Sequence, residues 1–433
     1  MPQGDPQPAR WSVIKKLLFC FFFIFFLLYI FLNPNNIVPY SWYFQNLYIP
    51  TYTKFAAWLS KDVLHIVNPQ VAFYNSTVDT VFGYVTILFI FSVSLMSSLV
   101  WVLAGKKTPD YSKLYSTLLL ILRYYLAITW IAYGSIKIAG LQFPPLSPVT
   151  LLQTYGNSSP KDLAWAFMGY STAYNYLIGL TEIGIGILLL FRRTSTFANL
   201  VGLIIFANVL AFDYIFQVNV KLLITVLMVM TLFLMSKDIV RLVNFFFLGK
   251  TVYPGVDQPP RFNTKWKNTT LRLAKYAFIL FLIFFDLRGY FARARSFNAR
   301  LKKPPFYGIY NVTSFIRNKD TLKPLTTDTT RWNKLAIATP EGTAVIMLMN
   351  DSATNFVFEP DTVKHRITLY VKTDTAGKYT FNYSRPAAGR LLLRGKWHSD
   401  SLQIELQEYD INKFPLLRDR FRWIMGHNQG ITK

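Results

Sequence analysis

Apolar residues follow two different rhythms along this 433-residue chain. Up to about Phe285 they come in long unbroken runs. From Phe306 onward they alternate with polar residues in short bursts. A helix needs about 20 apolar residues to cross a bilayer, and seven segments approach that length. The first is "KKLLFCFFFIFFLLYIFLN"; the others lie at about 78–104, 114–139, 172–191, 197–216, 218–235 and 271–285. The first is too long for a signal peptide and no small-residue cleavage site follows it, so it reads as a spanning helix. In the aromatic loop 34–78, "YTKFAAWLSKDVLHI" has helical spacing suited to the membrane interface. "IVRLVNFFFLGK" reads as a surface helix, and the polar linker "TVYPGVDQPPRFNTKWKN" precedes the seventh span.

The second rhythm predicts strands. "GIYNVTSFIR", "WNKLAIAT", "AVIMLMN", "TNFVFEP", "RITLYVKT", "YTFNYSR", "GRLLLRGKW" and "SLQIELQEYD" are separated mostly by turn residues. Eight such strands in sequence suit a meander that closes into an up-and-down barrel and leaves no edge. The expected fold is therefore an α-helical membrane bundle of about seven spans followed by an all-β barrel. It divides into a two-span region with an outer loop (1–112), a four-helix core (113–250), a linker with the seventh span (251–303) and the β domain (304–433).

Composition refines this picture. Half the residues (52%) are hydrophobic and 16% are charged, which excludes an ordinary soluble protein. The net charge of +24 does not point to nucleic acid, because Lys and Arg cluster at the ends of the apolar runs. There they set topology and meet anionic lipid headgroups. Lys106 and Lys107, Arg192 and Arg193, and Lys237 with Arg241 follow the second, fourth and sixth spans. That places the N-terminus in the cytoplasm and the β domain outside it, in a bacterial-type inner membrane. "RGYFARARSFNARLKKPP", after the seventh span, is basic and argues the other way; the parity of the earlier spans decides.

Cys20 is the one cysteine, so no internal disulfide forms. None of the four histidines lies in an apolar run, so residue supply excludes a His-ligated haem within the membrane. No metal motif, P-loop, dinucleotide fingerprint or nucleophile–base grouping is visible.

Charges inside the membrane are the main functional signal. Lys137 follows Arg123 by 14 residues, about 21 Å along a helix and within about 40° of the same face. Ala127, Trp130 and Gly134 share that face. A charge at the bilayer centre costs at least about 2.5–3.5 kcal/mol, so the stripe should face protein. Glu182 sits mid-span with Asn175, Gly179 and Gly186 on its face, and Arg123 is its expected partner because guanidinium suits carboxylate. Asn208 is a further candidate for burial. Asp213 and Lys221 flank the short turn after the fifth span, as secondary candidates or as solvated helix ends. The Arg123–Glu182 pair either locks two helices together or forms a proton, quinone or ligand site.

"LRYYLAITWIAYGSIKI" followed by "LTEIGIGILLLFRRTSTFANLVGLII" resembles the DoxX family of four-helix membrane proteins, over about 114–237. Arg123, Gly134, Lys137, Glu182, Gly186 and Thr194 occupy the matching positions. The resemblance implies a link to quinone-dependent redox complexes, although this chain adds spans and a β domain. The β domain is similar to lipocalin-like barrels, which a Gly-x-aromatic motif opens and a late Arg packs. Gly308, Tyr310 and either Arg420 or Arg422 would play those parts.

Two functional readings follow. One is a non-enzymatic envelope component whose β domain binds an apolar ligand or a protein partner. The other is the membrane subunit of a quinone-linked oxidoreductase. Membrane lipids are partners in both, and nucleic acid in neither.

Overall fold

The computed structural model describes residues 11–33, 41–66, 79–104, 111–252, 264–300, 303–338, 342–372 and 374–418. The chain forms two compact units. One comprises Met1–Pro144 with Ser159–Arg293, and the other Pro145–Ser158 with Ala294–Lys433.

The first unit is helical. Helices α1 (Val13–Leu32), α3 (Val81–Ala104), α4 (Ser112–Ile138), α7 (Thr172–Leu190) and α8 (Ser195–Ile215) are each long and apolar enough to cross a membrane. The sixth expected span is α9 (Lys221–Met235), which meets that test only when joined to α10 (Ile239–Phe246) across a bend of 78°. The seventh expected span falls within α11 (Lys265–Arg300), one helix that carries both the apolar stretch and the basic segment after it and that is not among the helices meeting that test. The loop before α3 contains α2 (Ser41–Trp58), longer than its interfacial pattern suggested. Helix α6 (Pro160–Tyr170) precedes α7. Ser159 caps it, accepting a hydrogen bond from the Asp162 N–H, and Pro160 takes the first-turn position that needs no N–H.

Helix α4 is the centre of this unit, with Leu118, Leu122, Leu126, Ala127 and Trp130 all buried. Aromatic side chains of α1 fill the space beside it: Phe19, Phe26 and Tyr29 are buried, and Phe26 meets Phe233 edge-on at 5.4 Å. Such packing suits a bilayer, where close van der Waals fit replaces the hydrophobic drive.

The α4–α7 seam shows why glycine matters here. A Cβ on Gly134 would lie 2.4 Å from the Gly179 carbonyl oxygen, and one on Gly186 would lie 2.7 Å from that of Ala127. Only glycine allows two backbones so close.

The second unit is a β barrel. Its strands are β1 (Gly308–Arg317), β3 (Trp332–Ala338), β4 (Thr343–Leu348), β5 (Ala353–Asp361), β6 (Arg366–Val371), β7 (Asp374–Ser384), β8 (Arg390–Trp397) and β9 (Asp400–Tyr409); β2 (Asp320–Thr321) is a two-residue arm on β1. Each barrel strand pairs antiparallel with the next, and β1 pairs with β9, so the sheet closes. All eight expected strands are present in this meander.

Alternation puts Phe315, Leu335, Ile337, Ile346, Leu369, Phe381, Leu393 and Ile404 inside, where they fill the barrel. The outside of β1, β3 and β4 is also apolar: Ile309, Ala336, Val345 and Met347 form a buried cluster with Leu152. That leucine belongs to α5 (Pro148–Leu152), part of the Pro-rich loop between α4 and α6. Ser147 caps α5 through the Thr150 N–H at 3.1 Å, and Pro148 starts it. Burying Leu152 is worth about 1.5–3 kcal/mol, so the barrel uses a segment more than 150 residues earlier in the chain.

Candidate functional sites: an intramembrane charge cluster and an aromatic barrel mouth

The glycine contacts fix the register of the antiparallel α4–α7 pair. Gly134 lies against Gly179 and Ile183, and Gly186 against Ala127 and Ile131. Glu182 is therefore level with the turn around Tyr133, and Lys137 is about one turn away. Arg123 lies ten residues from that level, about 15 Å along the helix.

The acid accordingly pairs with lysine rather than arginine. Lys137 Nζ donates to both carboxylate oxygens of Glu182, at 2.9 and 2.8 Å. Both side chains are buried. The expected Arg123–Glu182 pair is corrected on this point: chemical fit between guanidinium and carboxylate gave way to depth. Arg123 is itself buried, with Cζ 5.4 Å from the Tyr124 ring centroid. It lines a cavity of about 500 Å³ with Lys113, Arg192 and Lys237.

A second ion pair lies at the other end of the bundle. Lys221 Nζ stands 2.9 Å from Asp79 Oδ2. The same carboxylate accepts the backbone N–H groups of Lys221 and Leu222 at 3.1 and 2.9 Å. Asp79 thus caps α9, a helix 142 residues away in sequence, while Thr80 caps its own helix α3 through the Gly83 N–H. Sequence reading missed Asp79 because an Asp just before a helix looks like an ordinary local cap.

Asp213 is deeply buried and is no solvated helix end. Its Oδ2 has no hydrogen-bond partner among the described residues, nor does Asn175 Oδ1. Asn175 Nδ2 donates to the Met168 carbonyl at 2.9 Å. Asn208 is exposed; the buried stripe of α8 runs through Asn199, Gly202, Phe206 and Asp213. Two residues past Phe206 is about 200° round a helix, so Asn208 points away from that stripe. Cys20 is buried.

In the barrel, Gly308 has φ +149°, a conformation that favours glycine. Tyr310 is buried. Its phenol is pushed up to about 12 by burial, with nearby Glu408 adding to the rise and Arg385 opposing it. Arg420 and Arg422 lie outside the described residues. Arg385 packs at this end of the barrel, 4.4 Å over the Phe306 ring.

The opposite end of the barrel is open. A cavity of about 290 Å³ lies among Phe315, Trp332, Phe356 and Trp397, with Arg317 and Asp400 at its rim. Trp397 meets Trp332 at 5.2 Å and Phe356 at 5.4 Å. Arg317 Nε donates to Asp400 Oδ2 at 2.7 Å. An aromatic cup with a charged, hydrogen-bonded rim can hold a small apolar group and exclude a large one. The buried Phe381 and Leu369 close the interior beyond it. Sequence reading had no means to single out Trp332 and Trp397, because inward aromatics occur at every level of such a barrel.

These features define a class: a multi-pass α-helical membrane protein bearing a closed eight-stranded antiparallel barrel. Within that class, the chain is 34% identical over 116 residues to the uncharacterized protein YwoB of Bacillus subtilis (strain 168), a match covering 27% of this chain and 73% of that protein. The chain belongs to the family of YwoB. No family model and no solved structure matches it.

Proposed function

We propose that this is a multi-pass inner-membrane protein whose barrel lies outside the cytoplasm and binds an apolar group there, presented by a small molecule or by an envelope protein. The observation that carries this reading is the aromatic mouth formed by Phe315, Trp332, Phe356 and Trp397. The orientation draws support from the basic residues ending the second, fourth and sixth spans. It also draws support from connectivity: Pro145–Ser158, after α4, and Ala294–Lys433, which begins within α11, belong to one unit. An odd number of crossings, seven with the N-terminus inside, puts both on the outer side.

The second reading is a DoxX-like core, 114–237, acting as the membrane subunit of a quinone-linked oxidoreductase. The buried Lys137–Glu182 pair and Asp213 favour it, since intramembrane ionisable groups mark function by default. A quinone accepts hydrogen bonds, and Lys137 already gives two to Glu182, so a quinone has to compete for that ammonium. A quinol hydroxyl is better matched, because Asp213 Oδ2 is an acceptor with no hydrogen-bond partner among the described residues.

Extraction of the purified full chain followed by mass spectrometry separates the two. The first reading expects a small apolar molecule or a bound protein that is present with the wild type and lost from Thr354→Trp, since Thr354 also lines the mouth and an indole there would fill it. The second expects a quinone retained by Thr354→Trp and lost from Glu182→Gln. Identical extracts from all three proteins would refute both.

A further inference from the structure

The cavity under Arg123 is built differently from the two sites above. Its described lining includes four cations, Lys113, Arg123, Arg192 and Lys237, and no carboxylate. Charges that only set topology stand at helix ends, where they reach water or headgroups. Arg123 departs from that pattern. It lies 11 residues inside α4 from Ser112, about 16 Å along the helix, and is only 7% exposed. The cavity reaches down to it between Leu119, Leu120 and Leu234 on the apolar side.

Other features reinforce the positive field. Ser112 and Ser195, both in the lining, are the first residues of α4 and α8, so two helix N-termini with their partial positive charge border the space. Lys275 of α11 is an electrostatic neighbour of both Arg123 and Arg192.

We propose that this cavity is a binding site for a phosphate oxyanion at the helix ends bearing the basic turns. Guanidinium and ammonium groups hold the phosphate by charge-assisted hydrogen bonds, and the leucine side accepts the start of an acyl chain when the phosphate belongs to a lipid headgroup. The site stands apart from the barrel mouth and from the Lys137–Glu182 pair.

The test uses the full chain in an uncharged detergent. Melting temperature is followed while phosphatidic acid, inorganic phosphate or phosphatidylcholine is added. A saturable rise with phosphatidic acid assigns the site to a lipid headgroup. A similar rise with inorganic phosphate alone assigns it to a soluble phosphate. Phosphatidylcholine gives the baseline for detergent exchange.

The Arg192→Gln/Lys237→Gln double variant should raise the half-saturating concentration at least about tenfold, the effect of losing about 1.4 kcal/mol of binding. Lys15→Gln/Lys16→Gln removes the same charge at the start of α1 and should change it less than about twofold, well below that tenfold unit. Lys113→Gln provides a second, single-site variant should the double variant not fold. Absence of a saturable response to either phosphate, or equal weakening in the two double variants, would overturn the proposal.

Discussion

Gly134 and Gly179 face each other so closely that neither position has room for a methyl group. A Cβ on Gly134 would lie 2.4 Å from the Gly179 carbonyl oxygen, and one on Gly179 would lie 2.7 Å from that of Gly134. The obstacles are backbone atoms, which cannot turn aside. Gly134→Ala should therefore push α4 and α7 apart, costing about 1–3 kcal/mol as overpacking does. Gly184, on the same helix as Gly179, is different: a Cβ there would meet no neighbouring atom within 4 Å. Gly184→Ala should be neutral or stabilising by about 0.5–1 kcal/mol, through helix propensity. Thermal unfolding of the two variants in detergent checks the contrast, and equal melting temperatures would show that the close approach does not hold.

The same seam sets the ion pair, and a mutant cycle reads it. Lys137→Met and Glu182→Gln each remove one member of a buried pair. For Glu182→Gln this leaves an ammonium unpaired in low dielectric, at about 3–5 kcal/mol. The double variant should lose much less than the sum of the singles. Combining Arg123→Gln with Glu182→Gln should give additive losses, since those residues are about 15 Å apart in level. Coupling of Glu182 to Arg123 instead of Lys137 would reject this register.

Much of the architecture could be read from the chain because its periods differ: long apolar runs for helices, strict alternation for strands. The eight barrel strands follow from alternation alone, since inward residues such as Leu369 and Phe381 recur every second position. What the chain hides is register between elements. Side-chain chemistry favours Arg123 as the partner of Glu182; only Gly134, Gly179 and Gly186, which set the depth of one helix against another, bring Lys137 to it instead. Asn208 looked suited to burial because of its apolar neighbours, although the buried stripe of α8 passes on the other side. Asp79 serves a helix far away in sequence, which no local pattern records. Helix α5 was invisible as a cover for the barrel because its five residues look like loop.

That cover has a consequence for the barrel in isolation. A fragment from residue 303 to 418 keeps the closed sheet but lacks α5. It exposes Ile309, Ala336, Val345 and Met347, which α5 otherwise helps bury. Exposed apolar patches of this kind favour association. The fragment should therefore aggregate or bind hydrophobic dye, and fusing residues 145–158 to it through a flexible linker should restore a monomer. Leu152→Asp in the fused protein should undo the rescue. Size-exclusion chromatography distinguishes these outcomes, and a monomeric, dye-silent fragment without α5 would contradict them.

The barrel should also lose stability at both extremes of pH, for opposite reasons. Three aspartates have carboxyls held below the usual value. Asp328 accepts the Thr330 N–H and then that of Arg331. Asp361 accepts the N–H groups of Lys364 and Val363, and Asp400 accepts hydrogen bonds from Asn318 and Arg317. A depressed folded-state value means that the stabilisation is present above the unfolded value, about 3.9. It is lost as pH falls through the folded values. Tyr310 works the other way. Its phenol is pushed up to about 12 by burial and by Glu408, with Arg385 opposing. The unfolded value is about 10, so its contribution is complete below that and is lost as pH rises through about 12. Protection of barrel peptides in the full chain, followed by hydrogen exchange and corrected for intrinsic rates, should hold steady between about pH 5 and 9 and decline on either side. Tyr310→Phe cannot ionise and should reduce the alkaline decline, to which the raised phenols of Tyr307 and Tyr370 also contribute, while leaving the acid one intact. If the alkaline decline persists unchanged in Tyr310→Phe, another group is responsible.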